Sequence, residues 1–445
     1  MHRWLVAWLV VGGGIARADG PLDDLPAARA IGRAGTGLVS DDGAGALTAC
    51  PAGLARRDVR RGTAGLTAFD PDVTLTGARP AAPVIADQAT GSLAPAVFAA
   101  GSVGRFVIGV GYATTAAWTR QLPIPELRQP PADVTRLDPH RYAGLSGSYQ
   151  RRTLAAGLAV RISDTIAVGA SLRLDRVGMR ERRRAWAGYP DRFDDPDDAS
   201  RDVDLELRAD QGVVPGGALG VMIAPGDVPI ELALGVAATA PAALDGTATA
   251  TAAGIPTVDA LAPTAAIDLP ATVTARAGVR WLGERWALEL GGELWFAPGR
   301  DAPVWTVRGV RVVDQTGKSA ALTEVPSTLV TQAHGALRAS LDVELAPGFA
   351  WLTAGYAHVQ GATPRAFVGP AFADLGGDTG ALGVELTAAG FTISAGWSRT
   401  FARSVDTADT RLTQVNPFGP VAAATIGTVT TTSDRVGVAV ELALD

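Results

Sequence analysis

Side chains able to carry acid–base, nucleophilic or metal chemistry are sparse in this sequence, and their spacing gathers none of them. Behind an N-terminal leader only His140, His334 and His358 remain, and Cys50 is the single cysteine. Neither a His-x-x-x-His pair nor a cysteine pair offers zinc a ligand set, and no internal disulfide can form. A Gly-x-Ser-x-Gly elbow is missing. A serine–histidine couple could still be assembled from distant positions. However, His140 falls in an expected loop, and His358 on the outward register of an expected strand near its outer rim. The carboxylates of Asp191, Asp194, Asp195, Asp197 and Asp198 could offer oxygens to Ca²⁺, but without EF-hand order; a solvated loop is the plainer reading. The expectation is a protein that is not an enzyme, with no cofactor and no metal.

The elements that hold these residues follow from composition and periodicity. The chain has 445 residues, of which 19% are charged, against about 25% in a typical globular protein. Residues 1–18 read as a secretory signal peptide: His2 and Arg3, an apolar run from Trp4 to Val11, then Ala16-Arg17-Ala18 as a cleavage site. The run is far below the roughly 20 residues that span a membrane. Leu47-Thr48-Ala49-Cys50 superficially matches a lipoprotein processing site, but Arg29, Arg33 and Asp41 separate it from the apolar run. Without Arg3 and Arg17 the 39 basic residues become 37 against 45 acidic ones, a formal charge of −8. That balance argues against a nucleic-acid partner.

Beyond the leader the signal is alternation with period two. In 286–296, Trp286, Leu288, Leu290, Leu294 and Phe296 oppose Ala287, Glu289, Gly291 and Glu293. In 337–345, Leu337, Ala339, Leu341, Val343 and Leu345 oppose Arg338, Ser340, Asp342 and Glu344. The same pattern recurs in 166–175 and around 203–210, 230–236, 273–280, 381–386 and 435–444. One apolar and one polar face per strand fits a lipid-facing wall around a wet lumen. A soluble β-sandwich is the alternative, but its strands run to about five or six residues, whereas these reach ten or more. Short turns are expected at Gly104-Arg105, Ser163-Asp164, Pro225-Gly226-Asp227, Gly283-Glu284, Pro347-Gly348 and Ala389-Gly390. Between them lie long polar outer loops at 119–140, 181–202, 297–328 and 402–433. Six turns pair twelve strands, and one more at each end, near 58–69 and 434–444, makes fourteen. Phe106, Trp281, Trp286, Phe349, Trp351 and Phe391 stand beside the turns, and Trp118, Trp295, Trp397 and Phe401 near the opposite ends, as two aromatic bands would. The expected architecture is all-β: a fourteen-stranded antiparallel transmembrane barrel over 58–445. Residues 19–57 precede it, either as a hatch (plug) in the lumen or as a disordered periplasmic tail.

Several stretches carry a family likeness. Gly32, Gly35 and Gly37, then Asp41-Asp42, then Cys50-Pro51-Ala52-Gly53-Leu54 resemble the hatch of FadL-like outer-membrane transporters. Leu154 to Leu174, Leu269 to Val273 followed by Trp286 and Trp295, and Ala354-Gly355-Tyr356 followed by Pro364, Pro370 and Gly383 are similar to the same family, in the same order. The resemblance implies a fourteen-stranded barrel with an N-terminal hatch that carries long-chain fatty acids or aromatic hydrocarbons inward. It also implies sideways release at a kink in the third strand. Here that strand is Phe106 to Thr114, with Gly109 and Gly111 as the residues able to bend it; glycine in a strand often marks a bend. Gly as a space-saver beside the hatch is the other reading. Two features depart from the family: Cys50 stands where it usually has Asn, a better turn former, and the terminal aromatic is replaced by Asp445.

The function expected from resemblance and hatch together is passive transport of a small hydrophobic molecule across the bacterial outer membrane, by a monomer whose partners are outer-membrane lipid, lipopolysaccharide and that ligand. The inward positions Arg173, Asp175, Arg276, Arg280, Glu289, Glu293, Arg338, Asp342, Glu344, Glu385 and Glu441 are expected to pair with one another and brace the wall. Arg182-Arg183-Arg184 could pair with the acidic run or meet lipopolysaccharide phosphates. A conduit for polar or amphiphilic solutes and a structural or surface-interaction barrel remain as alternatives.

Overall fold

The computed structural model describes residues 27–56, 60–77, 84–123, 140–189, 199–297, 303–419, 423–424 and 426–444. The expected signal peptide, residues 19–26 and the acidic run from Asp191 to Asp198 lie outside them. Twenty-one strands, β1 to β21 in chain order, form one antiparallel sheet. Fourteen of them close a ring: β1 (Arg60–Thr76), β3 (Ser92–Val103), β4 (Phe106–Gln121), β5 (Ser146–Arg161), β6 (Ile166–Trp186), β8 (Val213–Ile223), β9 (Ile230–Thr239), β12 (Thr272–Leu282), β13 (Trp286–Phe296), β17 (His334–Ala346), β18 (Ala350–Gln360), β19 (Gly376–Ala388), β20 (Phe391–Asp406) and β21 (Thr428–Leu444). Closure is made by β1 on β21, in unbroken register from Arg60 opposite Leu444 to Thr76 opposite Thr428. All six short turns stand where the alternation breaks.

The alternation sets the facing. Leu290 and Leu341 are exposed on the outer surface, while Glu289 and Asp342 are buried inside. Phe106, Trp286, Phe349 and Phe391 are exposed beside the turns, and Trp397 and Phe401 towards the other rim. Trp118 and Trp295 are corrections to the expected band, since both are buried inside. Trp295 has lumen parity and stacks on His334, ring centres 4.6 Å apart. Trp118 is turned inwards by a bulge. The pairing of β4 with β5 slips between Thr114 and Ala116, and one extra residue moves every later side chain to the opposite face.

The outer part holds more strands than expected, and 203–210, expected among the wall strands, is a correction: it belongs to this outer part, and the wall position is taken by β8. Above the ring, β7 (Asp202–Gln211) pairs with the upper half of β6, then come β10 (Ala242–Ala252), β11 (Thr257–Leu269) and β14 (Val304–Val313). Short β2 (Val84–Ala86) lies on β1, and β15 (Ser319–Ala321) and β16 (Glu324–Pro326) lie on β14. These cap strands continue the wall strands across brief breaks at Gly212, Ala240-Pro241 and Pro270-Ala271. Facing polarity inverts there. On β6, Leu172 and Leu174 point out while Arg173 and Asp175 are buried; eight residues on, Arg180 points out while Val177 and Met179 are buried. On β7, Val203, Leu205, Leu207 and Ala209 are all fully buried and the charged residues between them face outwards. The buried faces join Phe69, Trp118, Tyr149 and Trp295 from the upper inner wall in one apolar core. A second core, with Val73, Leu75, Tyr142, Trp186 and Leu412, lies beside β1 and β21. Two buried carboxylates pin this cap. Glu181 accepts from Trp305 Nε1 (3.0 Å), Ser327 Oγ (2.8 Å) and Thr328. Asp202 accepts from Arg141 (2.8 Å), Tyr142 (2.7 Å) and Arg184 (3.2 Å). Arg182 pairs with Asp204 and Arg183 donates to the carbonyls of Pro326 and Thr413. Arg183 and Arg184 are thus buried inside the cap, while Arg182 is held by Asp204 on its outer face.

Candidate functional site

The N-terminal segment 27–56 lies inside the ring. It folds as α1 (Ala28–Ile31), a turn, α2 (Ala44–Ala49) and a 3-10 helix (Pro51–Arg56). Together these touch every wall strand: α1 meets β1, β19, β20 and β21, α2 meets β3, β4, β5, β6, β8 and β9, and the turn between them meets β12, β13, β17 and β18. Such close approach needs inner-wall positions without side chains. A Cβ at Gly235 would lie 2.1 Å from the Ala49 carbonyl oxygen, and one at Gly169 would lie 2.4 Å from Ala52 N.

Charged groups fix the segment to the wall. Arg33 donates through Nε and Nη2 to Asp342, both at 3.0 Å. Arg56 reaches Glu231 at 2.9 Å, Arg29 reaches Glu385 at 2.7 Å, and Val39 N donates to Glu289 at 2.9 Å. Arg61 of β1 donates to the Asp42 carbonyl. Inward residues also pair across the wall: Arg276 with Glu293 at 3.2 Å, and Arg280 with Asp342 at 3.6 Å. The bracing network thus exists, but a large part of it runs to the segment rather than around the wall. Glu344 is apart, pairing with Arg285 by a turn.

Each residue singled out in the sequence has a definite place. Gly32 meets Gly383 and Gly396 backbone to backbone. Gly35 has φ +77° and leaves room for the Arg338 guanidinium. Gly37 makes only ordinary contacts. Cys50 is buried between Gly220 and Gly235, its Sγ 3.4 Å from the Leu234 carbonyl oxygen. Burial pushes the Cys50 thiol up to about 11. Pro51 and Ala52 lie against Gly169, and Gly53 passes the Asp41 carbonyl where a Cβ would not fit. Gly109 faces Leu54 and Gly111 faces Leu47 of the segment, and both keep regular pairing with β3 and β5.

The irregularity in the third wall strand lies beyond those glycines, at Thr115. Pairing of β3 with β4 stops at Ala96 opposite Ala113, although β3 stays paired with β1 up to Ser92. Pro95, within that stretch, has no N–H to donate. Near the rim Ser92 Oγ of β3 meets Thr119 Oγ1 of β4 (3.3 Å), and Gln88 N, in the segment before β3, donates to the Gln121 carbonyl (2.7 Å). Among the described residues no ladder joins Leu93–Pro95 to Thr114–Trp118. The bulge is held from inside: Thr115 Oγ1 is 2.8 Å from Thr153 Oγ1 and accepts from Arg151 Nε, and Thr153 donates to Asp175. Its one signal in the sequence is that the apolar alternation of Phe106, Ile108, Val110 and Tyr112 dies at Thr114-Thr115-Ala116-Ala117.

Directly behind this unpaired stretch is a cavity of about 100 Å³ between the wall and the N-terminal segment. Ala94, Ala96, Phe98 and Ala113 form its apolar wall side with Glu441 of β21 beside them, and Arg29, Asp41 and Asp42 of the N-terminal segment form its inner side. Its size is on the scale of the roughly 150 Å³ cavity that takes a benzene ring.

Among solved structures the chain is similar to a Pseudomonas aeruginosa FadL homologue, at 16% identity and a TM-score of 0.71 over 96% of this chain and 100% of that one. It is similar to the P. putida toluene transporter TodX, at 14% identity and a TM-score of 0.66 over 95% and 99%. It is also similar to the Ralstonia pickettii toluene transporter TbuX, at 14% and 0.64 over 95% and 99%. No protein-family model and no curated protein matches the sequence. At these identities the likeness is one of fold, and the chain has the fold of these proteins over nearly its whole length.

Proposed function

We propose that the protein is a monomeric passive transporter of small hydrophobic molecules in the bacterial outer membrane, with residues 19–57 as a hatch and release sideways between β3 and β4. The outward belt of Leu, Val and Ile supports residence in a bilayer, with lipopolysaccharide around the outer rim. The observation that carries the proposal is the break in the wall backed by the cavity. A hatch touching all fourteen wall strands leaves little room for straight passage, and the unpaired stretch offers a way through the wall into lipid. An apolar solute moving that way never crosses the polar lumen floor. The similarity in fold to toluene transporters supports the same reading. Gly109 and Gly111 serve it by letting the hatch pack against β4, and the bend itself belongs to Thr115.

Filling the mouth tests this. Ala96→Phe or Ala113→Phe should lower uptake of labelled toluene by cells several-fold, while heat-modifiable gel mobility shows a folded barrel. Ala354→Phe, on the lipid-facing side of β18, should leave uptake unchanged. Undiminished uptake by the two mouth variants would show that the route lies elsewhere.

A further inference from the structure

Resting on the outer-membrane part of that reading, we propose that Arg152 and Arg176 together hold a phosphate group of lipopolysaccharide in the outer leaflet. Arg152 of β5 stands directly opposite Arg176 of β6 in the ladder. Both lie on the outward face and are exposed. Cβ atoms directly opposite on neighbouring strands are about 4.5–5.5 Å apart, and like charges so placed repel. Among the described residues, neither guanidinium has an ion pair, a hydrogen bond or an aromatic partner. The carboxylates within reach are already matched. On β7, Asp204 pairs with Arg182 at 2.6 Å, Glu206 with Arg180 at 2.9 Å and Asp210 with Arg208 at 2.9 Å. Asp175 and Glu181 of β6 are buried on the inner face. The neighbouring strands β4, β5 and β8 contain no carboxylate at all. Two uncompensated cations thus stand side by side on the wall.

Their height in the wall selects the anion. Directly below them Leu154, Leu172 and Leu174 face outwards and are exposed, and Val213 of β8, opposite Arg176, is exposed beside them. Directly above, the outward face of β6 carries Arg180 and Arg182. The pair therefore sits on the step from apolar to charged, the level at which acyl chains give way to headgroups around a barrel. Arginine stems can lie along the leucines while the heads reach the polar side. A guanidinium fork matches two phosphate oxygens at once, and a phosphate between two forks turns their repulsion into attraction. A free phosphate would gain that charge contact alone. A lipid gains it together with burial of its chains against Leu154, Leu172 and Leu174, so the lipid is the favoured occupant. Arg152 is also opposite Thr114, which places the bound headgroup one strand from the β3–β4 break.

The test uses the purified full chain in detergent, titrated with deep-rough lipopolysaccharide, with the same glycolipid after removal of its phosphates, and with inorganic phosphate, read by native mass spectrometry. The phosphorylated glycolipid should bind at least about tenfold more tightly than the dephosphorylated one, since hydrogen bonds between charged groups reach a decade of affinity. Arg152→Gln and Arg176→Gln should each weaken it several-fold, and the double variant should lose the preference for phosphate. Without lipid the double variant should unfold in urea no sooner than the wild type, because only a repulsion has been removed. Equal binding of the dephosphorylated glycolipid, an undiminished preference in the double variant, or inorganic phosphate binding as tightly as the glycolipid would overturn the lipid site. Cell fractionation separates this inference from the reading beneath it. A chain in the outer membrane that shows no phosphate preference sinks the inference alone, whereas a chain absent from that membrane sinks both.

Discussion

Arg33 and Asp342 lie 309 residues apart and meet inside the barrel as a two-pronged pair, joined by Thr353 Oγ1 at 2.8 Å on the same carboxylate. Both are buried. Removing Arg33 leaves that carboxylate with Arg280 at 3.6 Å as its remaining cation. Breaking a buried pair on one side typically costs about 3–5 kcal/mol, and here the loss falls on docking of the hatch. Cys50 reports it without a label. The thiol is buried and its pKa is pushed up to about 11, so little of the reactive thiolate exists at pH 8. Wild-type protein should resist maleimide at pH 8 over hours, and Arg33→Ala should react many times faster, as mass spectrometry would show. Rapid modification of the wild type would contradict the packing of Cys50 against Gly220. Half of this pair was legible in the sequence. Alternation places Asp342 on the inner face because Leu341 must face lipid. It says nothing about which residue meets it across the lumen, since partners there are chosen by folding of a segment that has no period of its own.

At the scale of the strand, period-two alternation carries nearly everything, and its two failures are informative. The first is Thr115. Glycine is the usual mark of a bend, so Gly109 and Gly111 offered themselves for it, with space beside an inner segment as the other reading; their missing side chains leave room for Leu54 and Leu47 of segment 27–56. The bulge needs no glycine and shows only as a phase slip. The second is the cap, where 203–210 was expected as a wall strand and 297–328 as a loop. In 203–210 the alternation is as clean as in the wall but inverted, apolar residues inwards and charged ones outwards. Periodicity alone does not distinguish a strand in lipid from a strand in water. The sign becomes visible only along one continuous strand such as β6, where outward residues change from Leu172 and Leu174 to Arg176 and Arg180. On the outer-membrane reading that change is where the outer edge of the membrane should lie. Arginine placed below the edge is costly, and apolar residues above it are not. Leu290→Arg should destabilise the barrel by about 2–4 kcal/mol if near the midplane, whereas Arg180→Leu should change stability little. Urea unfolding in lipid vesicles measures both. Equal effects would mean that the edge is misplaced.

For the whole molecule, two packed layers lie in series along the axis, and on the transport reading each is a barrier. The apolar cores of the cap lie over the outer mouth, and segment 27–56, the proposed hatch, lies in the ring below. Passage along the axis is limited by whichever barrier is tighter, so removing one leaves the other in control. The ring does not depend on the hatch for its ladder, which closes through β1 and β21. Carboxylates such as Asp342, Glu231 and Glu289 would lose partners on deletion, but in a flooded lumen water replaces them. Deletion of 27–56 should therefore yield a folded barrel with only a small rise in leakage of sugars in a liposome-swelling assay. The cap has its own weak point in Glu181, fully buried and accepting from Trp305, Ser327 and Thr328. Glu181→Ala leaves Trp305, Ser327 and Thr328 without their acceptor, a penalty of about 1–3 kcal/mol for each unsatisfied group, and should loosen the outer core. Alone it should also leak little, because the hatch remains. The two changes together should open the barrel, with swelling far above the sum of the separate effects. A large leak from the deletion alone would show that the cap is packing and not a barrier. No leak from the combination would remove the hatch from its role as a plug, and with it the reason for ligand to turn sideways at Thr115.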